Sequence, residues 1–72
     1  MKKIKKIKIR VNGIAKSISD NYSVSDLVKN LKIPMKKVAI ELNQEIIDKK
    51  KINKISLKKN DKIEIVHFIG GG

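Results

Sequence analysis

The sequence predicts an α+β fold in which one main helix packs on one face of a mixed sheet of about five strands. Three observations carry that expectation. Apolar residues alternate with polar ones near both ends and in the middle of the 72 residues, the period of half-buried strands. One stretch, Val24 to Leu31, has the three- and four-residue spacing of a helical face instead. Turn-forming pairs separate these stretches. A chain this short buries only about 60% of the surface its unfolded form exposes, so it builds one small core.

The elements follow in order. Ile7, Ile9 and Val11 alternate with Lys6, Lys8 and Arg10, which reads as the first strand. Asn12-Gly13 comes next. Both central residues of a type I′ turn need positive φ, and this pair is the strongest short hairpin signal. Ile14 to Ser19 returns as the second strand. Across a two-residue turn Val11 faces Ile14 and Ile7 faces Ile18, which gathers the apolar residues on one face. Lys16 falls on that face opposite Ile9. An edge strand tolerates it when the lysine stem lies on the sheet and its ammonium reaches water.

Ser23 predicts a helix start, with Asp26 three residues later as a short capping box. Val24, Leu27, Val28 and Leu31 form its apolar face, Lys29 and Lys32 suit the negative end of the helix dipole, and Pro34 stops it near Lys32 or Ile33. About two and a half turns cannot stand alone in water, so the helix packs on the sheet. Val38 to Leu42 is a third strand, Asn43-Gln44 a turn and Glu45 to Ile47 a short fourth strand. Asp48 to Ser56 is lysine-rich, and Ile52 and Ile55, three apart, suit a 3₁₀ turn. Lys59-Asn60-Asp61 turns into the last strand, Lys62 to Phe68. The helix crossover joins two parallel strands, and the first and last strands, richest in β-branched residues, form the central pair. That order is a β-grasp, expected over residues 1–69, with a glycine tail at 70–72.

Composition narrows the function classes. There is no cysteine, hence no disulfide, thiolate metal site or cysteine nucleophile. No apolar run approaches the roughly 20 residues that span a membrane. The basic start alternates into a strand instead of opening a signal peptide, so the expectation is a cytoplasmic protein. The net charge of +11 points to acidic partners. Yet only Arg10 among 18 basic residues is an arginine, and Tyr22 and Phe68 are the only aromatics. Bidentate contacts to bases and a stacking platform both need more, so specific nucleic-acid binding is not expected.

Three glycines close the sequence directly after a strand. A frayed terminus would explain them, but so would chemistry. A carboxylate becomes electrophilic when its oxygen attacks the α-phosphate of ATP to form an acyl-adenylate. That requires a carboxylate threaded into a narrow slot of another enzyme, where glycine alone lets the backbone approach closely.

The runs Val38-Ala39-Ile40-Glu41-Leu42-Asn43-Gln44-Glu45-Ile46-Ile47 and Asp61-Lys62-Ile63-Glu64-Ile65-Val66-His67-Phe68-Ile69-Gly70-Gly71-Gly72 resemble the thiamine-biosynthesis sulfur carrier family, of ubiquitin-like β-grasp fold. Ile9-Arg10-Val11-Asn12-Gly13 and the Ser23-Val24 helix start match its pattern too. Asn43-Gln44 departs from the family's usual Asn-Gly, and Lys59-Asn60-Asp61 from an Asp-Gly-Asp type of turn. The resemblance implies that a ubiquitin-activating-type adenylyltransferase adenylates the Gly72 carboxylate. A cysteine desulfurase or other persulfide donor then supplies sulfur to make a thiocarboxylate, which thiazole synthase consumes. The carrier is a protein substrate and not an enzyme. It binds no cofactor itself, and ATP belongs to the partner.

Gly70, Gly71 and Gly72 are therefore the residues expected to thread into partners, with Gly72 modified. Val66 and Phe68 have the strand parity opposite to Ile63 and Ile65, which places them on the face away from the helix as a docking patch. His67 has no Ser, Cys or carboxylate companion in sequence and reads as a packed or half-exposed strand residue. No spacing suits a metal site and no phosphate-binding loop is present. Lys2-Lys3 and Lys49-Lys50-Lys51 read as solvated charge. Three other functions fit parts of the pattern: the small subunit of molybdopterin synthase, a ubiquitin-like modifier, and a basic RNA-binding β-grasp module. The short length and the Ile-Gly-Gly-Gly ending favour the thiamine branch.

Overall fold

The computed structural model describes residues 5–68. Strands β1 (Lys6–Val11), β2 (Ile14–Ser19), β3 (Val38–Leu42), β4 (Glu45–Ile46) and β5 (Lys62–His67) form one sheet in the order β2-β1-β5-β3-β4. Helix α1 spans Val24–Leu31, and 3₁₀ turns occupy Met35–Lys37 and Lys49–Lys54. β1 and β5 pair in parallel as inner strands, and every other pairing is antiparallel. β2 and β3, joined through α1, consequently run in the same direction with β1 and β5 between them. This is the β-grasp arrangement. The boundary expected between residues 1–69 and a tail at 70–72 lies outside the described residues.

Local chemistry explains each element. Asn12 and Gly13 both take positive φ, 50° and 83°, and close the first hairpin with Val11 opposite Ile14, Ile9 opposite Lys16 and Ile7 opposite Ile18. Lys16 is half-buried on the edge strand, as its stem requires, while Ile14 stays exposed at the turn. At the start of α1 the Asp26 amide donates to the Ser23 hydroxyl and the Ser23 amide to the Asp26 carboxylate, both at 3.0 Å. The backbone N–H of Ser23, and then its hydroxyl, hold the Asp26 carboxyl below its ordinary value. The helix ends at Leu31, because Lys32 adopts left-handed backbone (φ 56°) and Ile33 donates back to the Val28 carbonyl at 3.2 Å. This is a Schellman closure with lysine where glycine is usual. Leu31, the last residue of the predicted apolar face, is exposed and lies outside the core.

The core takes Ile9 and Ile18 from the first hairpin, Val24, Leu27 and Val28 from α1, Val38 and Ile40 from β3, and Ile63 and Ile65 from β5. Leu57 completes it at 1% exposure, a member that no periodicity announces. Leu57 donates to the Tyr22 carbonyl at 2.8 Å and Val24 to the Ile55 carbonyl at 2.9 Å, which straps the loop after the second 3₁₀ turn to the helix start. Two strand ends differ slightly from expectation. β4 stops at Ile46, although the Ile47 amide still donates to the Ile40 carbonyl at 3.0 Å. β5 stops at His67, although the Phe68 amide donates to the Lys37 carbonyl at 2.8 Å.

β5 is gripped from both sides by turn asparagines. Asn43, at φ 53°, accepts from the Lys62 amide through Oδ1 at 2.9 Å and donates to the Asp61 carboxylate at 3.1 Å. Asn12 accepts from the Ile65 amide through Oδ1 at 2.7 Å and donates to the Ile65 carbonyl at 3.3 Å. Each asparagine thus makes its turn and extends the hydrogen-bonding edge of the central strand.

Candidate functional site

The site predicted from sequence is the outgoing end of β5. Alternation along β5 buries Ile63 and Ile65 against the helix and turns Lys62, Glu64 and Val66 to the opposite face of the sheet. Val66 and Phe68 are 48% and 55% exposed, and no described segment covers them. Strand register adds two residues that sequence reasoning missed. Ala39 lies opposite Val66, and Ile46, 75% exposed, lies opposite Glu41 on the same outer face. Ala39 and Val66 are direct cross-strand neighbours in a small apolar patch on this face, whereas the neighbour of Ile46 is Glu41. That Ile46 shares the face depends on pairings across three strands, which no local pattern encodes. Gly70, Gly71 and Gly72 follow in sequence and lie outside the described residues.

At this end the sheet narrows to β5 and β3, and side chains close both outer edges. β1 has ended at Val11, opposite Ile63, so the Asn12 amide serves the next position on β5. On the other side β4 has ended, and the next carbonyl along β3, that of Val38, accepts from Lys49 Nζ at 2.8 Å. The same ammonium donates to the Met35 carbonyl at 2.8 Å and lies 5.7 Å from the centroid of the Phe68 ring. This corrects the expectation that Lys49 is solvated charge. It is a half-buried latch that closes the β3 edge and contacts one face of Phe68 by a cation–π interaction. Nothing in Lys49-Lys50-Lys51 distinguishes it, because the distinction arises from the position of the 3₁₀ turn beside β3.

His67 is exposed on β5 opposite Val38. Among the described residues no group of three or more His, Cys, Asp or Glu side chains is placed to hold a metal ion. No helix of the described residues is long and apolar enough to cross a membrane. What the geometry supplies is a braced strand end beside an apolar patch, directly before the glycines.

Comparisons with known proteins agree with this reading. A family model described as the ThiS family matches residues 9–72. The sulfur carrier protein ThiS of Bacillus subtilis is 42% identical over 53 residues, which cover 74% of this chain and 80% of that protein. A thiazole synthase of Paramagnetospirillum magneticum is 38% identical over 66 residues, 92% of this chain, and the chain spans only 20% of that protein's length. The crystal structure of a thiamine biosynthesis protein (ThiS) from Geobacter metallireducens superposes with a TM-score of 0.79 at 28% identity, covering 92% of this chain and all of that one. With its β-grasp sheet, its patch beside β5 and a match that runs through the terminal glycines, the chain belongs to the ThiS family.

Proposed function

We propose that this chain is the sulfur carrier of thiamine biosynthesis, with Gly72 as the atom-carrying residue. The observation that carries the reading is the family match extending through residue 72, joined to a β5 whose last residues stand braced beside an exposed apolar patch. In this cycle a Gly72 carboxylate oxygen attacks the α-phosphorus of ATP on an activating enzyme, and pyrophosphate leaves. A persulfide sulfur then attacks the acyl carbon and AMP leaves. Thiol cleavage of the resulting S–S bond gives the thiocarboxylate, whose sulfur thiazole synthase takes. The persulfide comes from a cysteine desulfurase or an equivalent donor.

The chain acts as a protein substrate in each step. Gly70 and Gly71 pass through the partner's slot without side-chain obstruction, and Val66, Phe68, Ala39 and Ile46 meet the partner's surface. The resemblance of this chain to one fifth of a thiazole synthase supports that enzyme class as the acceptor. The test is pyrophosphate release by the activating enzyme of the same genome. Deleting Gly72 abolishes release in this reading, and Phe68→Ala raises KM for the carrier while leaving kcat near its original value. Undiminished release after deletion of Gly72 overturns it.

A further inference from the structure

Lys49 is built into the fold where the chain passes from the sheet toward the glycines. Its own backbone is fixed from both sides. The Ile47 amide donates to the Ile40 carbonyl of β3 at 3.0 Å, and the Asp48 carboxylate accepts from the Lys50 amide at 2.9 Å to start the 3₁₀ turn. From that anchored position the side chain reaches the edge of β3. An ammonium has three donors, and two of them here serve the Met35 and Val38 carbonyls, each at 2.8 Å. Those residues bracket Lys37, whose carbonyl accepts the Phe68 amide at 2.8 Å, the last backbone hydrogen bond of this strand end among the described residues. The same Nζ lies 5.7 Å from the centroid of the Phe68 ring. That ring is 55% exposed, so burial does little to fix it. Lys49 therefore acts on Phe68 twice, through the segment that holds its amide and through its aromatic face.

From this double contact we infer that Lys49 is a positioning residue for the terminal glycines. The inference rests on the carrier reading above, in which Gly72 enters a partner's slot. Gly72 lies four residues beyond Phe68, a reach of at most about 14 Å. Any path those residues take starts from Phe68, so the placement of Phe68 limits where the Gly72 carboxylate can arrive. A Phe68 released from Lys49 widens that region and leaves its own ordering to the moment of binding, a cost that appears in KM. The slot aligns Gly72 once it is occupied, so the adenylation step itself keeps its rate.

Lys49→Met tests this beside Lys49→Arg, which keeps the cation, and Ser23→Ala, which breaks the helix cap and none of the Lys49 contacts. Exchange of the Phe68 amide and steady-state adenylation by the activating enzyme are measured where all three are folded. In Lys49→Met the Phe68 amide loses more protection than the lowered global stability accounts for. KM for the carrier rises about three- to tenfold at unchanged kcat, the scale of ordering one residue. Lys49→Arg recovers most of both. Ser23→Ala keeps the parent KM, and its Phe68 amide follows global stability alone. Should Lys49→Met not fold, Lys49→Gln, neutral and one bond shorter, carries the same expectation. A parent-like KM in the neutral variant overturns the inference, as does a KM rise that Ser23→Ala matches at equal stability. A raised KM with the Phe68 amide still protected also overturns it, making Lys49 a direct contact of the partner. A parent chain that an active enzyme leaves unadenylated overturns the carrier reading instead, while the Phe68 exchange, read without enzyme, still decides whether Lys49 holds that residue.

Discussion

Replacing Asn12 by glycine separates the two roles of this residue. Glycine keeps the left-handed backbone of the turn, where Asn12 sits at φ 50°, and removes only the side-chain amide. Two hydrogen bonds disappear, one at 2.7 Å from the Ile65 amide and one at 3.3 Å to the Ile65 carbonyl. Each net hydrogen bond of this kind contributes about 1 kcal/mol, and the Ile65 groups lie in a partly buried position where water replaces the amide poorly. Relief of the left-handed strain that asparagine tolerates offsets a few tenths. The expected loss is about 1–2 kcal/mol, a fall in Tm of roughly 5–15 °C for a domain of this size. Native-state amide exchange gives the sharper readout. The Ile65 amide loses protection, while the Phe68 amide, bonded to the Lys37 carbonyl on the opposite side of β5, exchanges only as fast as the lowered global stability dictates. An Ile65 amide that follows the Phe68 amide in both proteins would refute the view that Asn12 stands in for the missing strand.

Three other perturbations follow from the same geometry. Gln44 occupies φ 75°, a left-handed position that costs a residue with a Cβ about 1–2 kcal/mol. Gln44→Gly therefore raises stability by about 0.5–1 kcal/mol after the larger unfolded-state entropy of glycine, visible in urea unfolding as a higher midpoint at constant slope. The Asp26 carboxyl, held below its ordinary value of 3.8 by the Ser23 amide and hydroxyl, makes helix α1 acid-sensitive. A depressed pKa means that the unfolded chain binds the proton more readily. Its contribution is complete above pH 3.8 and is lost as the pH falls through the lower folded value, a dependence that Asp26→Asn removes in an acid titration followed by circular dichroism. Lys49→Met keeps the stem and removes the ammonium from the Val38 and Met35 carbonyls and the Phe68 ring. It destabilises the fold by about 1–3 kcal/mol on denaturant unfolding, more than Lys50→Met on the exposed neighbour.

Much of the fold is legible because its signals are local. Asn12-Gly13 dictates a hairpin whose register then follows without further information, and Ser23 with Asp26 starts a helix at the residue where the amides bond. The central pairing of β1 and β5 is legible for a different reason, since two strands rich in β-branched residues at opposite ends of a short chain have one buried place to meet. What escapes is created by tertiary position. Leu57 stands before two lysines with only Ile55 at strand spacing, too short a pattern to announce an element, and it is buried where the bridge between Ser23 and Ser56 ties its loop to the helix start. Lys49 resembles Lys50 and Lys51 until the 3₁₀ turn brings it beside the open edge of β3. Val66 and Phe68 are readable from parity on one strand, whereas the placement of Ala39 and Ile46 on the same face exists only once three strands are in register. Lys32 and Gln44 take left-handed backbone that their residue types do not announce, because helix closure and the β3–β4 turn impose it.

The measurement that bears most directly on the carrier reading is the mass of the C-terminal peptide after the chain is incubated with ATP, the activating enzyme of its own genome and a persulfide source. The expected result is a peptide ending in Gly72 in which one oxygen has been exchanged for sulfur, formed only when ATP is present. An unchanged Gly72 in the presence of an enzyme that activates another carrier would contradict it.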